Sequence, residues 1–400
     1  MTRPLDRFTF PALVCACALL ALAPTPAAGE ETTAAPAAPT APGDDRARFE
    51  LLAARVAACW DSARGGFVTD GGVPSESAVE LGLLLGRQGA HGEWKHRALA
   101  TVEWTRALMD TLGGGFATRR QRPGAEPEAF GMRTDVNARR LANLVAAWQA
   151  TGNERYRRDA GRVAGFVDRV LIDGRGGFVA APVGDRTLEP AANGVAIHAW
   201  LRWAASTGDV PTRNFALRSI ERVWETCFDP RGVLLRRGDF GEVMMAPQLI
   251  DQVEMGRALV LSSSLCARPQ DLKRAGLLAR VVIEKFADPK RGGFMTQAMP
   301  KKDGTIRRAA RRADENARAA LFLAELAAAS GDDALRAAAR GAWAAFAEDQ
   351  EKAGLEAADW ALAFHTAFPP ESPAPVTWEA TASERGPVPN IIFRTRGKRR

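Results

Sequence analysis

The chain has 400 residues, of which 46% are hydrophobic and 25% are charged, and its formal net charge at pH 7 is +7. This composition excludes a disordered protein and allows one large hydrophobic core. Basic residues at the extreme C-terminus supply +5 of the charge, so the charge does not indicate a nucleic-acid surface on the folded part: Arg394, Arg396, Lys398, Arg399 and Arg400.

Residues 1–28 predict a secretory signal peptide. A weakly basic start, MTRPLDR, precedes the apolar run FTFPALVCACALLALA and the small-residue end PTPAAG. The apolar run is shorter than the roughly 20 residues of a spanning helix, so an uncleaved anchor is the weaker alternative. We expect cleavage between Ala27 and Gly29, no stable membrane insertion afterwards, and a periplasmic or secreted product.

The remaining chain is predicted to contain a linker, one folded domain and a tail. Residues 29–43 form a linker of Ala, Pro and Thr with too little apolar mass to fold. Residues 369–400 are first Pro-rich and then basic, which predicts a solvated tail. The predicted folded domain therefore spans residues 44–368.

A turn of the form Asp, then Gly-Gly-Phe, recurs through this domain. The copies DSARGGF, DTLGGGF, DGRGGF and DPKRGGF begin at Asp61, Asp110, Asp173 and Asp288, and degraded copies begin at Asp229 and Asp349. Consecutive copies start 49 to 63 residues apart, which is the length of two helices with their connections. The repeat therefore predicts six helical hairpins.

The helices between these turns are amphipathic, as in ARRLANLVAAWQATG and LARVVIEKFAD. A second, tight type of turn, ATGN, STGD or ASGD, alternates with the Gly-Gly-Phe loops, so all long loops lie at one end. We predict an all-α (α/α)6 toroid of six hairpins, each with an inner and an outer helix. An open α-solenoid is the alternative. The loop phenylalanines should be buried equivalents: Phe67, Phe116, Phe178 and Phe294.

The turns and the phrases LIDQVEMGRALV and ADENARAALFLAELAAASGD resemble the C-terminal helical-toroid region of YyaL-type thioredoxin-fused proteins. They are more distantly similar to N-acylglucosamine 2-epimerases and six-hairpin glycosidases. The resemblance covers about residues 44–368, and a signal peptide and linker stand where those proteins carry a thioredoxin-like domain. It implies a substrate pocket at the end with the long loops, but one toroid hosts many chemistries.

Polar side chains at the starts of the predicted inner helices are the candidate site. Carboxylates on either side of a glycosidic bond can act as acid and as base or nucleophile, so the candidate catalytic residues are Asp251, Asp314, Glu315 and Asp359. The candidate substrate-binding residues are Arg133, Asp135, Asn137, Asn193, Gln252, Glu254, Arg312, Asn316 and Trp360. Helix capping alone would also select Asp and Asn at these positions. The site interpretation expects Asp135, Asn193, Asp251, Asp314 and Asp359 to converge on one cavity.

Epimerisation would need a base, usually histidine, beside the carbonyl of an opened sugar. Only His198 and His365 lie on predicted inner helices, and a lone helical histidine is more often a packed core residue. Glu76 and Glu80 lie at the first inner-helix turn.

The sequence predicts no cofactor and no metal site, because it has no phosphate-binding Gly-rich loop and no Cys/His ligand spacing. We predict an exported carbohydrate-active protein of the glycoside hydrolase, lyase or epimerase kind, with a carbohydrate partner and no nucleic-acid partner. A non-catalytic sugar-binding or scaffolding toroid is the alternative, and an envelope-associated structural protein is the weakest. Whether the protein is an enzyme, and its oligomeric state, stay open at this point.

Overall fold

The computed structural model describes residues 42–87, 92–118, 132–182, 186–298 and 310–368. The predicted signal peptide, most of the predicted linker and the tail at 369–400 lie outside these residues. The described residues form thirteen α-helices, and their loops pair only through isolated β-bridges. None of these helices is both long and apolar enough to cross a lipid bilayer.

The first seven helices are α1 Pro42–Ala58, α2 Glu76–Arg87, α3 Gly92–Arg106, α4 Thr134–Thr151, α5 Glu154–Val170, α6 Pro190–Thr207 and α7 Val210–Cys227. The others are α8 Leu249–Cys266, α9 Pro269–Val281, α10 Ala313–Ser330, α11 Asp333–Ala344, α12 Ala347–Lys352 and α13 Ala357–Ala367. A π-helical turn, Val282–Phe286, follows α9 directly.

The inner helices form a closed ring. Helices α2, α4, α6, α8, α10 and α13 contact one another in this order, and α13 in turn contacts α2. An open solenoid would lack that last contact. Helices α1, α3, α5, α7, α9 and α11 pack outside, each on at least one inner helix. The predicted (α/α)6 toroid is therefore confirmed.

In the tight turns ATGN, STGD and ASGD at one end of the ring, the residue before the outer helix caps that helix. The side chains of Asn153, Asp209 and Asp332 accept hydrogen bonds from backbone N–H groups in the first turns of α5, α7 and α11. These caps satisfy donors that have no partner within the helix. Since the outer helices start at this end, the inner helices start at the opposite end, where the Gly-Gly-Phe loops lie.

A side-chain amide fixes the Gly-Gly-Phe loop to the start of α10. The Oδ1 atom of Asn316 accepts from the backbone N–H of Phe294 at 2.7 Å, and its Nδ2 donates to the Phe294 carbonyl at 2.8 Å. Gly293 has a φ of +67°, and a Cβ there would lie 2.9 Å from the same Oδ1 atom. Only glycine allows this approach without strain.

Equivalent amides occupy the fourth position of three more inner helices. Asn137, Asn193 and Gln252 each bond the backbone N–H and C=O of one loop residue, respectively Phe116, Phe178 and Leu234. The first hairpin departs from the pattern, because the N–H of Phe67 donates to Thr101 of α3 instead. The exposed fractions of the loop phenylalanines are 0%, 0%, 1% and 5% for Phe67, Phe116, Phe178 and Phe294, which confirms their predicted burial.

Replacing Asn316 with Ala should lower the free energy of unfolding by about 2–3 kcal/mol, because it leaves a buried N–H and a buried C=O of Phe294 without partners. Denaturation in urea measures the loss. Asn153→Ala is the matched control, since it removes an exposed helix cap and should cost only about 1 kcal/mol. Equal losses in the two variants would contradict the anchoring role.

Candidate functional site

A cavity lies inside the ring, in the half where the inner helices start. Its empty space, counted up to the open mouth, is about 420 Å³. Helices α2, α4, α6, α8 and α10 line it. The lining includes the carboxylates of Glu76, Glu80 and Glu254, the guanidinium groups of Arg139, Arg202, Arg257 and Arg318, and the imidazole of His198.

Glu254 is the centre of an ion-pair network in the wall of this cavity. Its Oε1 atom accepts from Arg139 at 2.9 Å and from Arg318 Nε at 2.8 Å. Its Oε2 atom accepts from Arg318 Nη2 at 3.0 Å and from Arg257 at 3.5 Å. Three helices therefore direct cations at one carboxylate on α8.

The side chain of Glu254 is only 3% exposed, so its ionisation depends on these arginines. Burial raises its pKa, but the charges of Arg318, Arg139 and Arg257 outweigh burial and hold the pKa well below its usual value. Glu254 is therefore a structural anion at neutral pH, with its acceptor capacity used.

Two of the arginines have further partners. Arg257 donates to both carboxylate oxygens of Glu325, at 2.8 Å and 2.7 Å. Arg318 also reaches Asp359 at 3.3 Å, and Asp359 accepts from the Ser77 hydroxyl at 2.8 Å. Their guanidinium groups are thus held in place, and they supply positive charge to the cavity without being free to reorient.

The carboxylate of Glu76 is also committed to the wall. It accepts from Arg140 Nε at 2.8 Å and from Asn143 Nδ2 at 2.9 Å. Arg140 is 2% exposed and extends to the carbonyl oxygens of Ala117 and Thr118. This cluster joins α2, α4 and the loop before α4, so it maintains the shape of the cavity.

Three lining groups keep unused hydrogen-bonding capacity: Glu80, His198 and Arg202. Arg202 and Glu80 form an ion pair at 3.6 Å, which is too long for a hydrogen bond. The side chains of Glu80, Arg202 and His198 make no hydrogen bond to another described residue. His198 and Arg202 are four residues apart on α6, hence on the same face of that helix. These three side chains are therefore the lining groups that a ligand could engage.

The imidazole of His198 is held neutral. Burial, and then the positive charges of Arg257 and Arg202, lower its pKa well below its usual value. Glu80 responds in the opposite sense: burial raises its pKa, but Arg202, Arg257 and nearby arginines lower it below its usual value overall. At neutral pH the cavity thus presents a free neutral imidazole beside a carboxylate and a guanidinium group.

The four residues predicted to be catalytic do not line this cavity. Asp251 is buried at the start of α8, where Oδ2 accepts from Arg236 at 2.9 Å and Oδ1 accepts from the N–H of Ala191 at 3.1 Å. Asp314 pairs with Arg312 at 2.7 Å near the surface. Asp359 reaches the cavity only through Ser77 and Arg318.

The fourth of these residues, Glu315, is in the first turn of α10. Burial, followed by the charges of Asp314 and Asp251, raises its pKa to about 7. Its Oε2 atom is buried and has no hydrogen-bond partner among the described residues. Glu315 is thus partly protonated at neutral pH, but it does not reach the cavity lining.

Of the residues predicted to bind substrate, only Glu254 lines the cavity. The amides Asn137, Asn193, Gln252 and Asn316 anchor loops, and Arg133 and Arg312 pair near the surface with Asp135 and Asp314. The predicted convergence of five inner-helix residues is not seen.

Trp360 requires a correction, because its side chain is 1% exposed and packs near Phe346, with ring centroids 5.7 Å apart. A ring with no free face cannot stack on a sugar. His365 packs against Phe49, also away from the cavity lining.

The cavity arginines were not predicted, although the sequence carries a signal for two of them. The pattern Asp-x-Asn-Ala-Arg occurs at residues 135–139 of α4 and again at 314–318 of α10. Both arginines of this pattern, Arg139 and Arg318, donate to Glu254 Oε1. Charges on otherwise buried helices indicate paired groups or a polar site.

The described residues contain no group of three or more His, Cys, Asp or Glu side chains placed to hold a metal ion. The thiols of Cys59, Cys227 and Cys266 are free, and burial raises the pKa of Cys227 to about 12. None of these thiols lines the cavity.

No family model matches the chain, and no curated protein matches it by sequence. Solved structures do match its fold. A D-mannose isomerase superposes with a TM-score of 0.67 at 13% identity, covering 82% of this chain and 97% of its own. The cellobiose 2-epimerase of Bacillus thermoamylovorans has a TM-score of 0.65 at 12% identity, covering 76% of this chain and 87% of its own.

A GH76 α-mannanase from Bacteroides thetaiotaomicron gives a TM-score of 0.63 at 14% identity, covering 81% of this chain and 95% of its own. The chain therefore shares the toroid fold of these solved structures. At these identities the likeness establishes the fold alone.

Proposed function

We propose that the protein is a sugar isomerase or epimerase that moves a proton on the carbon beside a carbonyl group. The observation that carries the proposal is the imidazole of His198, which is neutral, faces the cavity and has no hydrogen bond to another described residue. A neutral imidazole within reach of a substrate carbon can act as a general base.

In the proposed reaction, His198 removes the proton from the carbon next to the carbonyl of an opened sugar. The electrons of the C–H bond form a C=C bond, and the carbonyl oxygen becomes an enediolate oxygen. The fixed guanidinium groups of Arg257 and Arg318 place positive charge where this negative charge develops. Return of the proton from His198 to the neighbouring carbon gives the isomer, while Glu80 carries the hydroxyl proton of the first carbon to the oxygen of the former carbonyl. The epimer forms when the intermediate rotates about its C2–C3 bond, so that the same imidazolium returns the proton to the other face of the original carbon.

Glu80 is the proposed partner of His198 in this reaction. It is ionised, lines the same cavity from α2 and makes no hydrogen bond to another described residue. It can accept a hydroxyl hydrogen of the sugar or exchange a proton with the intermediate. Hydrolysis of a glycosidic bond is less well supported, because the rim carboxylates are paired with arginines or lie off the cavity.

Three further parts of the proposal rest on the sequence and the fold. The signal-peptide pattern of residues 1–28 supports a periplasmic or secreted enzyme. The phrases LIDQVEMGRALV and ADENARAALFLAELAAASGD support a nearer relationship to YyaL-type toroids. The fold shared with a D-mannose isomerase and a cellobiose 2-epimerase supports a carbohydrate substrate.

Solvent exchange tests the reaction directly. The purified protein is incubated in D2O with mannose, glucose, cellobiose, N-acetylglucosamine and hexuronates, and the C2 proton is followed by NMR. We expect at least one sugar to lose this proton signal and to yield an epimer or ketose. Release of reducing ends from glycans without exchange would favour hydrolysis over the proposed proton transfer.

A non-catalytic sugar-binding toroid is the second candidate. It is favoured by the carboxylates of Glu254 and Glu76, which use their acceptor capacity on neighbouring arginine and asparagine side chains and are not free for chemistry. Saturable binding of a sugar, with neither exchange nor hydrolysis of any sugar tested, would support this candidate and reject the enzyme.

A further inference from the structure

We infer that the ligand of the central cavity carries an anionic group, a carboxylate or a phosphate, and that Arg202 binds this group. The inference names the substrate class for the site proposed above and therefore rests on that site. It follows from how the four cavity arginines are engaged.

The guanidinium groups come from four helices and differ in their partners. Three of them donate hydrogen bonds to Glu254: Arg139, Arg257 and Arg318. Arg257 also donates hydrogen bonds to Glu325. The side chain of Arg202 makes no hydrogen bond to another described residue, and its ion pair with Glu80 spans 3.6 Å. Charge-assisted hydrogen bonds are about 2.7–2.9 Å long, so the N–H donors of Arg202 stay available.

The field inside the cavity favours an anion. Positive charges of the arginines contribute to a lowered pKa at Glu80, at Glu254 and at His198, although burial acts on each of them as well. These three groups lie on α2, α8 and α6, so the positive charges of the arginines act at several points of the cavity. A second anion that displaces water there gains from the same charges.

The position of Arg202 also suits the proposed reaction. His198 lies one helical turn from it on the same face of α6, and side chains so placed have Cβ atoms roughly 5–6 Å apart. An anionic group bound by Arg202 therefore holds the adjoining carbon chain beside the imidazole. A planar guanidinium binds a carboxylate or phosphate through two parallel N–H bonds, which would also fix the orientation of the sugar.

Isothermal titration calorimetry on the purified protein tests the inference. The probes are glucuronate, galacturonate, glucose 6-phosphate and neutral glucose and mannose, with acetate and inorganic phosphate as simple anions. We expect an anionic sugar to bind at least about tenfold more tightly than glucose and to weaken as salt is added. The comparison of uronates with the sugar phosphate identifies which anionic group the cavity takes.

The matched variants are Arg202→Gln and Arg158→Gln. Arg158 lies exposed on α5, so its replacement should leave binding unchanged. Arg202→Gln should weaken binding of the anionic sugar by about 10- to 100-fold, with little effect on neutral sugars, and Arg202→Lys should restore part of the loss. If Arg202→Gln does not fold, the preference of the wild-type protein for anions and its salt dependence still decide the inference.

Neutral sugars binding as tightly as uronates and sugar phosphates would overturn the inference, as would unchanged anion binding in a folded Arg202→Gln. Failure of the proposed reaction has a different signature. Exchange of C2 protons on neutral sugars without anion preference would keep the enzyme and reject the anionic substrate. Anion binding that depends on Arg202, without exchange on any sugar, would keep the anionic ligand and reject the enzyme.

Discussion

Replacing Glu254 with Gln should lower the free energy of unfolding by about 3–5 kcal/mol. The glutamate accepts hydrogen bonds from Arg139, Arg257 and Arg318, of which the last two have side chains 6% and 7% exposed. Removing the negative charge leaves these cations facing one another in a site that water reaches poorly. Breaking one side of a buried ion pair costs much more than the intact pair contributes.

The loss is measured by urea denaturation at pH 7, with Glu50→Gln as the matched control. Glu50 pairs with Arg46 on the surface of α1, where both side chains are more than half exposed. That pair should be worth less than about 1 kcal/mol. A loss in Glu254→Gln no larger than in Glu50→Gln would show that the network does not hold the ring together.

The same carboxylate makes stability depend on pH. Because the folded protein holds the pKa of Glu254 below its value in the unfolded chain, ionised Glu254 stabilises the fold at neutral pH. This contribution should fall as the pH drops below about 4, the usual range for glutamate. The Glu254→Gln variant lacks it, so the wild-type and variant stabilities should approach each other at acid pH.

The repeated turns made the architecture predictable. Asp, two glycines and Phe recur because each loop needs a backbone conformation that glycine adopts readily and a buried aromatic side chain as an anchor. Both requirements can be read from the sequence. Phe67 and Phe294 are at equivalent positions although 227 residues separate them. Closure of the ring was predicted from the number of hairpins and the shared end of the long loops.

The candidate site could not be placed as well, because a helix start does not reveal which side of the helix faces the ring axis. In α10, Asn316 is the fourth residue and Arg318 the sixth. Two residues turn an α-helix by about 200°, so these side chains point to opposite sides. Asn316 meets the loop, and Arg318 meets Glu254 in the cavity.

This register recurs in four inner helices and explains why the amides predicted to bind substrate do not line the cavity. Fourth positions in α4, α6, α8 and α10 hold the loop-anchoring amides, and in α13 the fourth residue is the buried Trp360. Sixth positions in the same four helices line the cavity: Arg139, Val195, Glu254 and Arg318. The polar residues near the helix starts included these fourth positions. The side chains that face the ring axis lie two residues, or about half a turn, further along each helix.

Replacing His198 with Asn should reduce the proposed proton transfer by about 10²- to 10⁴-fold, the usual effect of removing a general base. His96→Asn is the matched control, since His96 is exposed on α3 and should leave the rate unchanged. Titration with a sugar should show that binding survives in His198→Asn, which separates loss of the base from loss of the site. The pH profile is a second readout. Because the pKa of His198 is well below the usual 6.5, kcat/KM should stay level as the pH passes through 6.5 and fall only in more acid solution. A break near pH 6.5 or above, or a His198→Asn variant within threefold of the wild-type rate, would remove His198 as the base.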